Sequence, residues 1–122
     1  MKYLMFSLIL LSGQASASES REELLKLHEE FIANESGKSY ANLTVGQFWG
    51  DISFMRQCAP PESPVPESFD IFYIVTIDGT IESIHLFPET KTGKCIKENV
   101  KTRAFNKPPT KFVGHIEMEF TP

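Results

Sequence analysis

Five side chains in this sequence are best suited to chemistry: Cys58, Cys95, His28, His85 and His115. Cys95 falls in the first turn of an expected helix, a position that lowers a thiol pKa and makes a reactive nucleophile. Two thiols in an oxidising compartment do something else: they form one structural cross-link. With no Cys-x-x-Cys spacing in the chain, a Cys58–Cys95 disulfide is the stronger reading. In chain-entropy terms such a closure is worth roughly 3 to 4 kcal/mol. A metal site needs about three converging ligands, often spaced i, i+2 or i, i+4. The three histidines show no such arrangement with cysteines or carboxylates, so no metal and no cofactor are expected. His85 and His115 are expected in water on the polar face of a sheet, and Glu117 and Glu119 alternate there as solubilising charge. No nucleophile elbow, phosphate loop or dinucleotide fingerprint is present, so the chain is read as non-enzymatic.

The compartment is set by the first residues. Segment 1–17 has the form of a signal peptide: Lys2 as a minimal basic start, an apolar run from Tyr3 to Leu11, and Ala15-Ser16-Ala17 as a small-x-small cleavage site. The apolar run is far below the roughly 20 residues of a spanning helix. A cleaved signal and a periplasmic or secreted protein without a stable membrane anchor are expected; the rival is a short uncleaved anchor. Loss of Lys2 takes the net charge one unit below the −4 of the whole chain. With no basic cluster, nucleic acid and anionic membrane are unfavourable partners.

The rest is one small domain. In 18–57, Ser20 with Glu23 makes a capping box for a helix carrying Leu24, Leu27, Phe31 and Ile32, which should end near Asn34 to Gly37. Thr44 with Gln47 has the same spacing and suggests a second helix to about Gln57, with Val45, Phe48, Trp49, Ile52 and Met55 as its apolar stripe. Segment 58–68, with Pro60, Pro61, Pro64 and Pro66, is a stiff extended connector.

Segment 69–122 reads as strand, turn, strand, helix, strand. Phe69, Ile71, Tyr73, Val75 and Ile77 alternate with Asp70, Phe72, Ile74 and Thr76, and this period of two argues for a central strand with both faces partly covered. Asp78-Gly79 suits a two-residue type I′ turn. In the return strand, Thr80 to about Phe87, the alternation slips at Glu82-Ser83, which a β-bulge absorbs. A helix from about Lys91 to Arg103 places Ile96, Val100 and Ala104 in one stripe. In the last strand Phe112, Ile116, Met118 and Phe120 face a dry side, and His115, Glu117 and Glu119 a wet one. Gly114 falls on the dry side, where a close backbone approach or a bulge accounts for it.

The run from Phe72 through Asp78-Gly79 to Leu86 resembles the hairpin of the TonB/TolA C-terminal domain superfamily. Cys95-Ile96, Ala104-Phe105 and Pro108-Pro109 are similar to the helix and the Trp-x-Phe-x-x-Pro segment that follow in that family. The likeness is closest to the branch related to gliding-motility proteins, where a cysteine before the first strand accompanies one in the helix; here these are Cys58 and Cys95. The elements read above make an α+β fold of two N-terminal helices followed by β-β-α-β, with a three-stranded antiparallel sheet expected in order 2-1-3 and a helix packed on one face. The resemblance implies binding of envelope proteins or peptides. The chain departs from the family in having Arg103-Ala104-Phe105 where tryptophan is common, no long spacer and no energy-coupling residues in an anchor. It could not transduce proton-motive force on its own.

The function expected is a non-catalytic interaction module of the bacterial envelope. Its site is the open edge formed by Phe112, Val113, His115, Ile116, Glu117, Met118, Glu119 and Phe120, where unpaired backbone groups accept a partner strand. The alternatives are a small secreted inhibitor or effector-like protein binding through Phe48, Trp49 and Phe54, and an unfamiliar secreted enzyme using Cys95 or His85.

Overall fold

The computed structural model describes residues 20–121; the expected signal segment 1–17 lies outside them. Helix α1, Arg21–Phe31, opens on the capping box read from the sequence: Glu23 N–H donates to Ser20 Oγ and Ser20 N–H to the Glu23 carboxylate, both at 3.2 Å. It stops earlier than expected because Asn34 starts a new helix, its side chain accepting from Gly37 N–H at 2.8 Å. This helix, α2, spans Glu35–Trp49. Thr44 is therefore no cap. It lies inside α2, fully buried, and its hydroxyl turns to other work. The expected helix to Gln57 is broken at Gly50 into a 3-10 turn, Ile52–Phe54, and a short α3, Met55–Cys58. Val45 and Ile52 are exposed rather than packed.

Strands β1 (Phe69–Val75), β2 (Ile81–Phe87) and β3 (Phe112–Met118) form an antiparallel sheet of order β2-β1-β3. Helix α4, Lys91–Val100, connects β2 to β3. The expected bulge is present: Ile74 faces Ser83 but Val75 faces Ile81, leaving Glu82 as the extra residue. The turn differs from type I′, which needs φ > 0 at two residues; only Gly79 has it, at 87°. Gly79 N–H donates to Thr76 O at 2.9 Å and Thr76 N–H to Thr80 O at 2.8 Å. The loop is thus three residues, Ile77-Asp78-Gly79, closing through a left-handed glycine.

One face of the sheet carries the larger core. Ile71, Tyr73, Val75, Ile84, Leu86 and Phe112 pack there with Phe48, Ile96, Val100 and Phe105. Cys58 and Cys95 are disulfide-bonded, Cα to Cα 5.3 Å, and tie α3 to α4 on that side. The other face is not wet over β1 and β3. Phe72, Ile74 and Val113 form a second cluster with Leu24 of α1, and burying that one leucine is worth about 1.5 to 3 kcal/mol. On the polar side of β3, α1 covers Val113 and most of His115, whereas Glu117 and Glu119 stay exposed as the alternation predicts.

Candidate functional site

The polar group that local pattern did not reveal is centred on Asp70. Its Oδ2 accepts from Arg21 Nε at 2.8 Å and its Oδ1 from His115 Nε2 at 2.9 Å. Asp70 is the one polar position among buried neighbours in β1, and Arg21 begins α1, so the pair docks that helix on the sheet. Burial, the largest single influence, pushes the Asp70 carboxyl up. The bonds from Arg21 and His115 together outweigh it and hold the carboxyl below the ordinary 3.8. His115 is not solvated as expected. Its ring stacks on Phe72 with centroids 4.4 Å apart and lies edge-on to His28 at 5.8 Å.

Asp70, His115 and Glu117 each offer a ligand atom within 4.8 Å of the others. Yet both oxygens of Asp70 already accept hydrogen bonds, one from a guanidinium that would repel a cation, and His115 Nε2 carries the proton it donates. The geometry suits a structural ion-pair network. It also contains the carboxylate and imidazole of a catalytic triad, but among the described residues no hydroxyl or thiol bonds His115.

On β2, Ser83 Oγ and His85 Nε2 are 3.1 Å apart. Among the described residues no carboxylate orients that imidazole, as a nucleophile–base pair requires. Cys95 is in the disulfide, so the thiol version of the enzyme reading is excluded. The aromatic patch of the inhibitor reading is packed on itself: Phe48 is buried, Trp49 stacks on Phe54, and Arg103 lies over Phe54 while donating to the carbonyls of Phe48 and Trp49.

The expected binding strand β3 does sit at an edge, paired only with β1. The hairpin bond from Thr76 sets the direction of the ladder. Even-numbered β1 residues bond β2, and odd-numbered ones bond β3. Phe112, Gly114, Ile116 and Met118 then use their backbone groups on β1, while Val113, His115 and Glu117 turn theirs outward. His28 Nδ1 donates to the Val113 carbonyl at 2.8 Å. Part of this edge is thus closed by α1, beginning at Val113, and Glu117, Glu119 and Phe120 lie beyond that contact. Burial lowers the His28 pKa below the ordinary 6.5, His115 adding to the fall and the Val113 bond opposing it.

Among the described residues no helix is long and apolar enough to cross a membrane. No family model, curated protein or solved structure matches the chain.

Proposed function

We propose that this chain is a non-catalytic protein-interaction module of the bacterial envelope, periplasmic or secreted, which receives an extended peptide along an edge of its sheet. The observation that supports it is the strand order β2-β1-β3, which leaves both outer strands with backbone groups facing away from the sheet. The resemblance of the Phe72–Leu86 hairpin to TonB/TolA C-terminal domains points the same way, and 1–17 supplies the export signal. The disulfide agrees with an oxidising compartment.

The test is capture from an envelope extract followed by amide hydrogen exchange on the complex. Slowed exchange at outward amides of β2 or β3 is the expected result; protection confined to helices would overturn the reading. Glu117→Pro is the suitable edge variant for β3, because the Glu117 N–H points outward. Ile116→Pro would break the β1–β3 ladder itself.

A further inference from the structure

The two edges are not equivalent, and the difference names a ligand. On β2, Ser83, His85 and Phe87 bond β1, so Ile84 and Leu86 turn their N–H and C=O groups outward. Among the described residues no hydrogen bond reaches them, whereas on β3 His28 takes the Val113 carbonyl. The chain itself begins an added strand on this side: Ala104 bridges Thr80 in antiparallel sense, and Phe105 N–H donates to Gly79 O at 2.9 Å. Beyond that stub a groove of about 570 Å³ runs between Ile81, Glu82, Ser83, Ile84 and His85 on the strand and Lys97, Lys101 and Thr102 on the helix side.

Lys97 and Lys101 stand against Glu82 in the groove lining, a small basic excess in an acidic protein. Helix α4 and its C-cap carry Lys91, Lys94, Lys97 and Lys101 against the single acid Glu98, in a chain of net charge −4. Lys101 is held by Glu98 at 2.8 Å, and Glu82 on the strand by Lys111 at 3.1 Å. Among the described residues no acid lies within salt-bridge distance of Lys97. We infer that the β2 edge is the docking site for an extended acidic peptide, paired with Ile84 and Leu86 and presenting carboxylates at alternate positions to Lys97 and Lys101. Period-two spacing of the ligand's acids follows from the pleat, which sends alternate side chains to the helix side. A second copy of this chain is a poorer occupant, since antiparallel pairing of two β2 edges brings two lysine rows together. The inference rests on the edge-binding reading and assigns its edge and its ligand chemistry.

The experiment titrates a synthetic peptide of alternating Asp and Val, and its Lys-for-Asp counterpart, into the isotope-labelled chain with its disulfide intact. Binding of the acidic peptide should shift and protect the amides of Ile84 and Leu86, and should weaken as salt rises. It should fall about tenfold in the Lys97→Glu/Lys101→Glu variant; Lys97 is half-buried and Lys101 exposed, and unchanged shifts of β1 and β3 would show that the fold is intact. Equal binding of the basic peptide, no binding of the acidic one, or dimerisation through β2 would overturn the inference. Shifts confined to Val113–Phe120 would overturn this edge while leaving edge binding itself standing. Failure of edge binding is read separately, from the hydrogen exchange of the captured complex.

Discussion

Tyr73 lies flat across Gly114, its cross-strand partner, so closely that a single added carbon on Gly114 would overlap the tyrosine ring. The ring is fully buried, sandwiched among Phe48, Phe105 and Phe112. Gly114→Ala should therefore destabilise the domain by about 1 to 3 kcal/mol through overpacking. Urea denaturation would measure it. A loss below a few tenths would mean that the ring can move aside.

The hydroxyl of the same tyrosine ends 2.7 Å from Thr44 Oγ1, and Thr44 donates onward to Ala41 O at 2.7 Å. The chain of donors runs from Tyr73 to Thr44 to the backbone. Burial pushes the Tyr73 pKa up to about 12 against the opposing Thr44 bond. Thr44→Val leaves a buried phenol without an acceptor and should cost about 1 to 3 kcal/mol, whereas Tyr73→Phe spares the Thr44 donor and should cost about 1. Denaturation midpoints of the two variants check the order, and the reverse order would refute the donor direction.

Acid should weaken the domain in two separate windows. His28 has its pKa lowered by burial, so the unfolded chain binds more protons than the folded one just below 6.5. Stability is then full above that pH, falls as pH drops through the window and levels out below the folded pKa. Asp70 is also lowered, so its contribution is present above 3.8 and is lost as pH falls through its folded pKa. Denaturation midpoints taken from about pH 7.5 to pH 3 should show the upper fall vanish in His28→Gln and the lower one in Asp70→Asn.

Reduction of Cys58–Cys95, or the paired replacement of both by serine, should cost about 3 to 4 kcal/mol on the chain-entropy model. That is a large share of the net stability of a small domain. The drop in thermal midpoint between oxidised and reduced protein measures it; equal midpoints would show that α3 and α4 hold together without the bond.

What local pattern could show, it showed: the Ser20–Glu23 box and the slip that became the Glu82 bulge. At Gly114 the expected backbone approach or bulge is instead the Tyr73 ring lying on it, in an unbroken register. Thr44 misled because its spacing to Gln47 imitates a box, while its real partner lies 29 residues away. Asn34, an equally good cap, had already started the helix. Asp70 reads as one polar tooth in an alternating strand. Its partners stand 45 and 49 residues distant, and no window of neighbouring residues contains them. On the expected wet face of β3, Glu117 and Glu119 are exposed as read, and only His115 is covered, because α1 returns across that end of the sheet.

That return has an effect on stoichiometry. A sheet with two accessible borders can be extended without limit, each new chain offering a fresh template, which is how fibres grow. Here His28 and the helix that carries it bar the way at Val113. A guest strand on the far border, as inferred above, would leave Val113 blocked on this one, so copies of the complex could not stack border to border through it.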